Sequence, residues 1–391
     1  MAKNDTVKKQ ITFIYMDSVE RAIFLPLAEE AEKRGYNVKL TDNKFEKCEI
    51  GFYCQHRNFP QFSKFSVVML HDIVQQYSNW PDIWFLEPWN KYDVGILPSN
   101  RWVENWKQCS EKFYAVPKAG MYKIGWPKAD KIASIDPTNY KHEFFQKYNL
   151  DPEKRTVLYA PAWENDGKQD DFVQALTKLN VNILIKQYPA DNRLFPEMAK
   201  EIERMRLLHK DNPRVTILNP QMNIFEVIAV SDILVSDESS TMCEAIMMGV
   251  PSISVSNWLI PDVVPSRYPA CDYDFVEMTL KENLTECVKN IIDHYDMYKE
   301  KALTFSKNNF SNIGKSSKMI MDIIDSYVEG RECPYSKLMP KNKVRLSIKK
   351  YLLFKYECTK REIYYNFCER IPALMILWKT LRKCKSLVSR S

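Results

Sequence analysis

The sequence contains little glycine, only 9 of its 391 residues. Phosphate-binding loops of the GxGxxG and GxxxxGK types need several glycines, and neither pattern occurs. The 10 cysteines form no CxxC pair, and with only 5 histidines beside them no zinc-site spacing is indicated. No stretch approaches the ~18–20 consecutive apolar residues of a membrane span. We therefore expect no metal, no cofactor and no transmembrane segment.

Charge is distributed unevenly along the chain. The net charge is +6, yet residues 336–391 contain fifteen Lys or Arg against three Glu and so carry +12, which leaves −6 on residues 1–335. The first residues pass directly from charged side chains into a strand-like run, so we expect no signal peptide. These features, together with unpaired cysteines, predict a cytoplasmic protein.

The pattern of apolar residues predicts an α/β protein with two Rossmann-like domains facing a cleft and a basic helical tail. Short strand-like runs alternate with helical stretches twice along the chain, as in doubly wound parallel sheets. The boundaries are predicted at 1–135 for an acceptor domain, 136–330 for a nucleotide-donor domain and 331–391 for the tail. A cleft between two such domains is a common substrate site.

Residues 230–255 contain the most informative stretch. The pattern predicts a strand at 233–235, a helix at about 240–248 ended by Gly249, and a second strand at 252–255. The carboxyl end of a strand followed by a helix N-terminus is where open α/β sheets bind anions. The sequence therefore predicts a ligand-binding turn between the first strand and the helix.

Five polar residues at this turn are candidates for contacts with a diphosphate: Asp237, Ser239, Ser240, Thr241 and Glu244. Hydroxyl groups there can donate to phosphate oxygens, and Glu244, one turn deeper, can accept from a ribose or glycerol hydroxyl. The simpler alternative is that Ser239 or Ser240 only caps the helix.

The basic tail ends in a predicted amphipathic helix. Ile371, Leu374, Met375, Trp378 and Leu381 fall on one face, and the cations Lys379, Arg382, Lys383 and Lys385 fall elsewhere, with Pro372 in the first turn. Such a helix is typical of binding to an anionic membrane surface. One alternative is a helix docked on the protein. Another is RNA binding, which is less favoured because the sequence contains no nucleic-acid-binding motif.

Four ordered patches resemble the CDP-glycerol glycerophosphotransferase family, which builds teichoic-acid-type polymers and has a GT-B arrangement. They are VVMLHDI at 67–73, where a buried strand is predicted at 66–71 and ends at His71, GWPKAD at 125–130, LYAPAW at 158–163 and SDILVSDESS at 231–240. A later NIGKSS at 312–317 resembles the start of a helix in that family. The resemblance covers about residues 66–328.

The resemblance implies roles for several residues. His71 would be the base that activates an acceptor hydroxyl, with Asp72 orienting its ring or binding the acceptor; the alternative is a structural histidine. Lys186 and Tyr188 would donate to the diphosphate, and Trp163 would flank the cytosine or sugar, unless it only packs in the core. Two positions depart from the family: Asp72 replaces a glycine, and Tyr188 replaces a histidine.

The function predicted from these features is transfer of glycerophosphate, or a related polyol phosphate, from a CDP-linked donor to a lipid-linked or capsular glycan acceptor. No nucleic-acid partner is expected. One alternative is a glycosyltransferase that uses a UDP- or CMP-sugar, which the tyrosine at position 188 favours. Another is a catalytically silent scaffold in a polymer-assembly complex. We expect Asp130, after Pro127, to form a turn and not to contact a ligand.

Overall fold

The computed structural model describes residues 9–54, 57–73, 80–263, 265–270, 274–368, 370, 371, 373–376 and 380. In these residues the chain forms two lobes, each built on a six-stranded sheet whose strand pairs are all parallel. The predicted α/β fold with two Rossmann-like domains facing a cleft is therefore confirmed.

The first lobe contains six strands in the order β2-β1-β3-β4-β5-β6. They are β1 Gln10–Ile14, β2 Asn37–Thr41, β3 Cys48–Tyr53, β4 Ser63–Val68, β5 Val94–Leu97 and β6 Gly120–Lys123. The helices are α1 Ser18–Lys33, α2 Ile83–Leu86 and α3 Asn100–Lys112, with 3-10 turns at Pro60–Phe62, Trp89–Lys91 and Pro127–Ser134.

The second lobe repeats this arrangement, with the strand order β12-β11-β10-β7-β8-β9. Its strands are β7 Thr156–Tyr159, β8 Asn182–Ile185, β9 Val215–Ile217, β10 Ile233–Ser236, β11 Ser252–Val255 and β12 Glu277–Thr279. Its helices are α4 Pro137–Tyr148, α5 Lys168–Leu176, α6 Pro196–His209, α7 Ile224–Ala229, α8 Thr241–Met247, α9 Leu284–Asp293, α10 Tyr295–Asn309 and α11 Ser316–Glu329, with a 3-10 turn at Lys281–Asn283.

The central strands of the second sheet explain why the pattern in the sequence is so clear. Every residue of β7, β8, β10 and β11 is buried. Parallel strands covered by helices on both faces read as short continuous apolar runs. The strands predicted at 233–235 and 252–255 agree with β10 and β11 to within one residue.

The sequence analysis missed some elements. It predicted no helix at α3 or α10, and it predicted a turn at GWPKAD where the chain forms a 3-10 helix. It also extended the strand before His71 too far, because β4 ends at Val68 and His71 lies three residues beyond it. The carboxylate of Asp130 accepts from the backbone N–H groups of Ser316 and Ser317 at the start of α11, at 2.9 and 2.6 Å.

The last helix of the predicted second domain returns to the first lobe. In α11, Asp322 and Asp325 each lie 2.8 Å from the guanidinium of Arg34, at the end of α1. The hydroxyl of Tyr36 also donates to Asp325, at 2.5 Å. One apolar cluster contains residues of both lobes, and the contact between α1 and α11 adds to it. The chain therefore crosses between the lobes twice.

The tail packs on the first lobe. Backbone N–H groups of Leu338 and Val344 donate to the carbonyls of Met121 and Glu111, at 2.7 and 2.8 Å. A further helix, α12 Ile348–Ile363, is followed by a π-helical turn at Tyr364–Cys368. Its Phe354 stacks on Phe113, with ring centroids 3.5 Å apart.

The terminal helix predicted for the tail lies partly outside the described residues. Residues 373–376 are helical, and Leu374 and Met375 are half-buried. Pro372, Trp378, Lys379, Leu381, Arg382, Lys383 and Lys385 are not among the described residues, so the predicted membrane face stays a prediction. Among the helices that the structure describes, none is both long and apolar enough to span a bilayer.

Candidate active site

A cavity of about 540 Å³ lies between the two lobes. Its wall in the first lobe is formed by the start of α1 and the loop after β4, and its wall in the second lobe by the segments that follow β7, β8 and β10. All of these segments follow the carboxyl ends of parallel strands or open a helix, as is usual for ligand sites in such sheets. The cavity lining includes eight of the ten predicted site residues: His71, Asp72, Trp163, Lys186, Tyr188, Ser239, Ser240 and Thr241.

His71 is held by its neighbours at the first-lobe wall. Its Nδ1 lies 3.0 Å from the carbonyl oxygen of Cys54, and its Nε2 lies 3.2 Å from the carboxylate of Asp72. A second carboxylate, of Glu20, lies 3.9 Å from Nδ1. The burial of His71 alone would lower its pKa, but the charge and hydrogen bond of Asp72 and the charge of Glu20 outweigh it and raise the pKa to about 10.

Glu20 and Asp17 also line this wall, and the sequence analysis missed both. They open α1, where Asp17 accepts from the N–H groups of Val19 and Glu20, and Glu20 accepts from the N–H of Met16 at 2.6 Å. Burial is the main reason that the pKa of Glu20 rises to about 7. The detectable signal was the Asp-Ser-Val-Glu pattern at 17–20, which resembles a helix-capping box.

Tyr188 reaches across the cavity from the second lobe. Its hydroxyl donates to the free oxygen of the Asp17 carboxylate, at 2.6 Å. Burial and the Asp17 carboxylate raise the pKa of Tyr188, so the phenol stays protonated and acts as a donor at ordinary pH. Tyr188, which was predicted to donate to a phosphate, therefore donates its hydroxyl proton to a carboxylate of the opposite lobe in this structure.

Lys186 lies at the end of β8 and is largely buried. Its ammonium donates to the carbonyl of Pro220 at 3.0 Å. Burial, helped by the positive charge of Lys128, lowers the pKa of Lys186 to about 8. Because the ammonium of Lys186 donates one N–H to an uncharged carbonyl, it has further N–H groups with which to bind an anion in the cavity.

The three hydroxyl residues at the start of α8 make different contacts. Ser239 accepts from the N–H of Thr241 at 3.3 Å, and Thr241 donates to the carbonyl of Ala160 at 3.2 Å. Ser240 occupies the N-cap position, but its side chain makes no capping hydrogen bond. The side chain that caps the helix is therefore that of Ser239, one residue before the N-cap position. Ser240 lines the cavity and makes no capping hydrogen bond.

Two predicted contacts, Asp237 and Glu244, do not line the cavity. Asp237 is fully buried beneath its floor, where it forms an ion pair with Lys168 at 3.0 Å and accepts from the N–H of Ala162 at 2.8 Å. These partners outweigh the effect of burial and lower the pKa of Asp237. The prediction of a phosphate contact is therefore corrected: this carboxylate holds the turn together.

Glu244 is also fully buried, and a cation covers it. Lys128 in the 3-10 helix between the lobes lies 2.7 Å from its Oε1, and the indole N–H of Trp126 lies 3.4 Å away. Lys128 itself lines the cavity. Lys128 and Trp126 both contact Oε1, and the buried Oε2 has no hydrogen-bond partner among the described residues. The contact of Glu244 with a ribose or glycerol hydroxyl therefore stays a prediction, and Lys128, which was not predicted as a site residue, joins the candidates.

Trp163 lines the second-lobe wall beside Phe195, with the two rings edge to face and their centroids 5.5 Å apart. Trp163 is half-buried, and its predicted place beside the cytosine or sugar stays a prediction. Charged groups of both signs line the cavity. Asp17, Glu20 and Asp72 belong to the first-lobe wall and Lys186 to the second-lobe wall, where Glu238 and Asp262 are neutralised by Arg267. Such a site can bind an anion on one side and hold a proton acceptor on the other.

Comparison with known proteins agrees with this geometry. Residues 72–256 match the family described as CDP-Glycerol:Poly(glycerophosphate) glycerophosphotransferase. A Staphylococcus aureus teichoic acid glycerol-phosphate primase is 25% identical over 200 residues, which are 51% of this chain and 45% of that protein. The chain therefore spans less than half the length of this curated relative.

Solved structures show the same fold. The wall teichoic acid polymerase TagF superposes with a TM-score of 0.56 at 15% identity, covering 82% of this chain and 90% of that one. A UDP-GlcNAc 2-epimerase from Neisseria meningitidis bound to UDP-GlcNAc superposes with a TM-score of 0.57 at 13% identity, covering 81% of this chain and all of that one. The predicted resemblance to the glycerophosphotransferase family is confirmed, and that family consists of enzymes.

Proposed function

We propose that this chain, which shares the matched region of the CDP-glycerol glycerophosphotransferase family, transfers glycerophosphate or a related polyol phosphate from a CDP-linked donor. The observation that carries the proposal is the single cavity in which His71 faces Lys186, Ser239 and Ser240 from the opposite lobe. A histidine with two carboxylate neighbours suits proton transfer, and buried ammonium and hydroxyl groups suit a diphosphate. One of the TagF structures came from a soak with CDPG, which supports the choice of donor.

In the proposed reaction an acceptor hydroxyl attacks the phosphorus that carries the polyol. The new bond joins the acceptor oxygen to this phosphorus, the bridging P–O bond to the cytidylyl phosphate breaks, and CMP leaves with the bonding electron pair. His71 takes the hydroxyl proton. Lys186, with Lys128 beside it and the hydroxyls of Ser239 and Ser240, stabilises the charge that builds on the departing CMP.

The high pKa of His71 sets a condition on this role. An imidazolium cannot accept a proton, so the cluster of His71, Asp72 and Glu20 must first lose one proton. The two carboxylates hold the ring in place for this purpose, with Asp72 at Nε2 and Glu20 on the Nδ1 side. The reactive form of the cluster is therefore more abundant at alkaline pH.

The acceptor in the proposal is a lipid-linked or capsular glycan, and the enzyme works in the cytoplasm at the inner face of the membrane. Support comes from the relative described as a teichoic acid glycerol-phosphate primase and from the strongly basic tail. The donor needs no metal or other cofactor in this proposal, because protein cations neutralise the diphosphate.

The experiment is a product assay with purified full-length chain. Incubation with CDP-glycerol and a glycan acceptor should release CMP and add glycerophosphate mass to the acceptor. Tyr188, in place of the family histidine, favours one competing function, a glycosyltransferase of GT-B shape. Release of UDP from a UDP-sugar, or transfer of sugar with release of CMP from a CMP-sugar, would establish that function instead. If calorimetry detects no nucleotide binding, the result would favour a catalytically silent scaffold instead.

A further inference from the structure

Helix α12 has two different faces. One face docks on the first lobe through Phe354, which stacks on Phe113, and through Arg361, whose guanidinium lies 3.1 Å from the buried carboxylate of Glu87. This docking holds the helix against the protein, and it uses a minority of the apolar side chains of the helix.

The outward face of α12 is apolar and exposed. Ile348, Leu352, Tyr356 and Ile363 have 78%, 60%, 58% and 46% of their surface open to solvent. Their spacing of four, four and seven residues places them on one stripe along the helix. Single exposed apolar residues are ordinary on protein surfaces, but an aligned stripe indicates an interaction site.

Lysines border this stripe. At 100° per residue, Lys349 and Lys360 lie along one edge of it and Lys355 lies along the other. Of the two acidic residues of α12, all of whose positions the structure describes, Glu357 faces away from the stripe and Glu362 lies beside Lys355 near its edge. Glu362 pairs with Lys91 of the first lobe at 2.7 Å, and Glu357 pairs with Lys360 at 2.9 Å.

More exposed apolar residues follow the helix in the sequence. Phe367, Ile371 and Ile376 are also exposed. The whole segment from residue 336 carries a net charge of +12, against −6 for the rest of the chain. Apolar side chains that insert between acyl chains, bordered by cations that face phosphate head groups, match a negatively charged lipid surface. An apolar protein groove without carboxylates at its rim would leave the bordering lysines without matching charge.

We propose that the outward face of α12 docks on an anionic lipid surface, with Ile348, Leu352, Tyr356 and Ile363 inserted at the level of the head groups. This differs from the sequence prediction, which assigned membrane binding to the terminal segment 371–385. It deepens the membrane location given in the proposed function, on which it rests in that respect, by naming the surface that binds the lipid, and it involves neither the donor nor the cavity between the lobes. The docked helix fixes one side of the first lobe against the bilayer.

The test measures cosedimentation of the full-length protein with vesicles of pure phosphatidylcholine and with vesicles containing 30% phosphatidylglycerol, a composition chosen for about one anionic lipid in three. We expect binding only to the anionic vesicles, weakened at high salt because screening shortens the range of the lysine charges. The double variant Leu352→Ser/Tyr356→Ser should bind at least about tenfold more weakly, since each loss removes buried apolar area.

A matched control is available on helix α6. Leu207 and Leu208 are comparably exposed, at 49% and 56%, and lie in the other lobe. The variant Leu207→Ser/Leu208→Ser should bind vesicles as the wild type does. A second variant, Lys349→Gln/Lys360→Gln, should lose binding to anionic vesicles while circular dichroism and thermal unfolding stay unchanged.

Unchanged vesicle binding by the α12 variant would overturn the proposal. So would equal loss in the α6 control, or a wild-type dimer in sedimentation equilibrium that the α12 variant converts to monomer, which would identify a second copy as the occupant. CMP release from CDP-glycerol with a water-soluble acceptor is measured on the same proteins. It should be unaffected by the α12 variant, so failure of the docking proposal is distinguishable from failure of the proposed reaction.

Discussion

The hydroxyl of Tyr188 donates a hydrogen bond of 2.6 Å to the carboxylate of Asp17 across the gap between the two lobes. The same carboxylate has a second role, because its other oxygen accepts from the backbone N–H groups of the first turn of α1. One carboxylate therefore couples the start of a first-lobe helix to the strand end that carries Lys186. The geometry of the cavity depends on this contact.

We expect Tyr188→Phe to lower the free energy of unfolding by about 1–3 kcal/mol, because it removes a donor from a largely buried carboxylate. Asp17→Asn should destabilise as well, and the double variant should lose less than the sum of the two. Chemical denaturation measures all three. Tyr188→His is the informative companion, since it restores the residue of the related family. Additive losses would show that the contact contributes little to stability.

His71→Ala should lower turnover at least about 100-fold, with the affinity for CDP-glycerol little changed, because the ring acts on the acceptor and not on the nucleotide. Steady-state release of CMP and calorimetric binding separate the two quantities. His142→Ala, an exposed residue on α4, is the control and should be indistinguishable from wild type. Near-normal turnover of the His71 variant would remove it from the mechanism.

The pH dependence of turnover tests the charge cluster around the same ring. Because Asp72 and Glu20 raise the pKa of His71 to about 10, the neutral ring is scarce near pH 7 and becomes more abundant as the pH rises. Turnover measured at saturating CDP-glycerol, so that the weaker donor binding by uncharged Lys186 does not limit it, should therefore increase from pH 7 toward pH 10. Asp72→Asn removes the larger of the two favourable charges, so it should shift this increase to lower pH. A pH profile that is the same for both proteins contradicts the assignment.

Ser239→Ala together with Ser240→Ala should weaken nucleotide binding by about 1–3 kcal/mol, since hydrogen bonds to charged phosphate oxygens are worth about that much. Calorimetry with CDP-glycerol gives the difference directly. Thr241→Val is the contrasting variant, because its hydroxyl already donates to the carbonyl of Ala160. It should perturb stability more than affinity. Equal affinity of the serine variant and wild type would exclude the proposed diphosphate contact.

Lys186 predicts a second pH effect, of opposite direction. Its pKa of about 8 in the free protein means that the ammonium is present below that pH and is lost as the pH rises through it. Affinity for CDP-glycerol, whose diester phosphates do not titrate here, should fall about fivefold between pH 8 and pH 9. Binding in that range should take up a proton, seen as buffer-dependent enthalpy. Lys186→Arg should abolish both effects.

The contrast between Ser239 and Asp17 shows what the sequence could reveal. Ser239 follows a buried apolar strand and opens a helix, so local pattern is enough to place it at a ligand-binding edge. Asp17 gains its role from Tyr188, 171 residues away, and no local pattern contains that pairing. The same holds for the partner of Glu244. Its position in the helix was predicted, but the contact of its Oε1 with Lys128, 116 residues before it, was not.

The return of α11 to the first lobe affects how this protein can be recombined. Arg34 and Tyr36 hold Asp325 in a helix encoded near the end of the sequence, so the first lobe is assembled from two separate parts of the gene. A chimera made with one crossover near residue 135 would import a foreign α11 against a native α1. Exchanging nucleotide lobes with a relative therefore takes two junctions, the second placed just before residue 316.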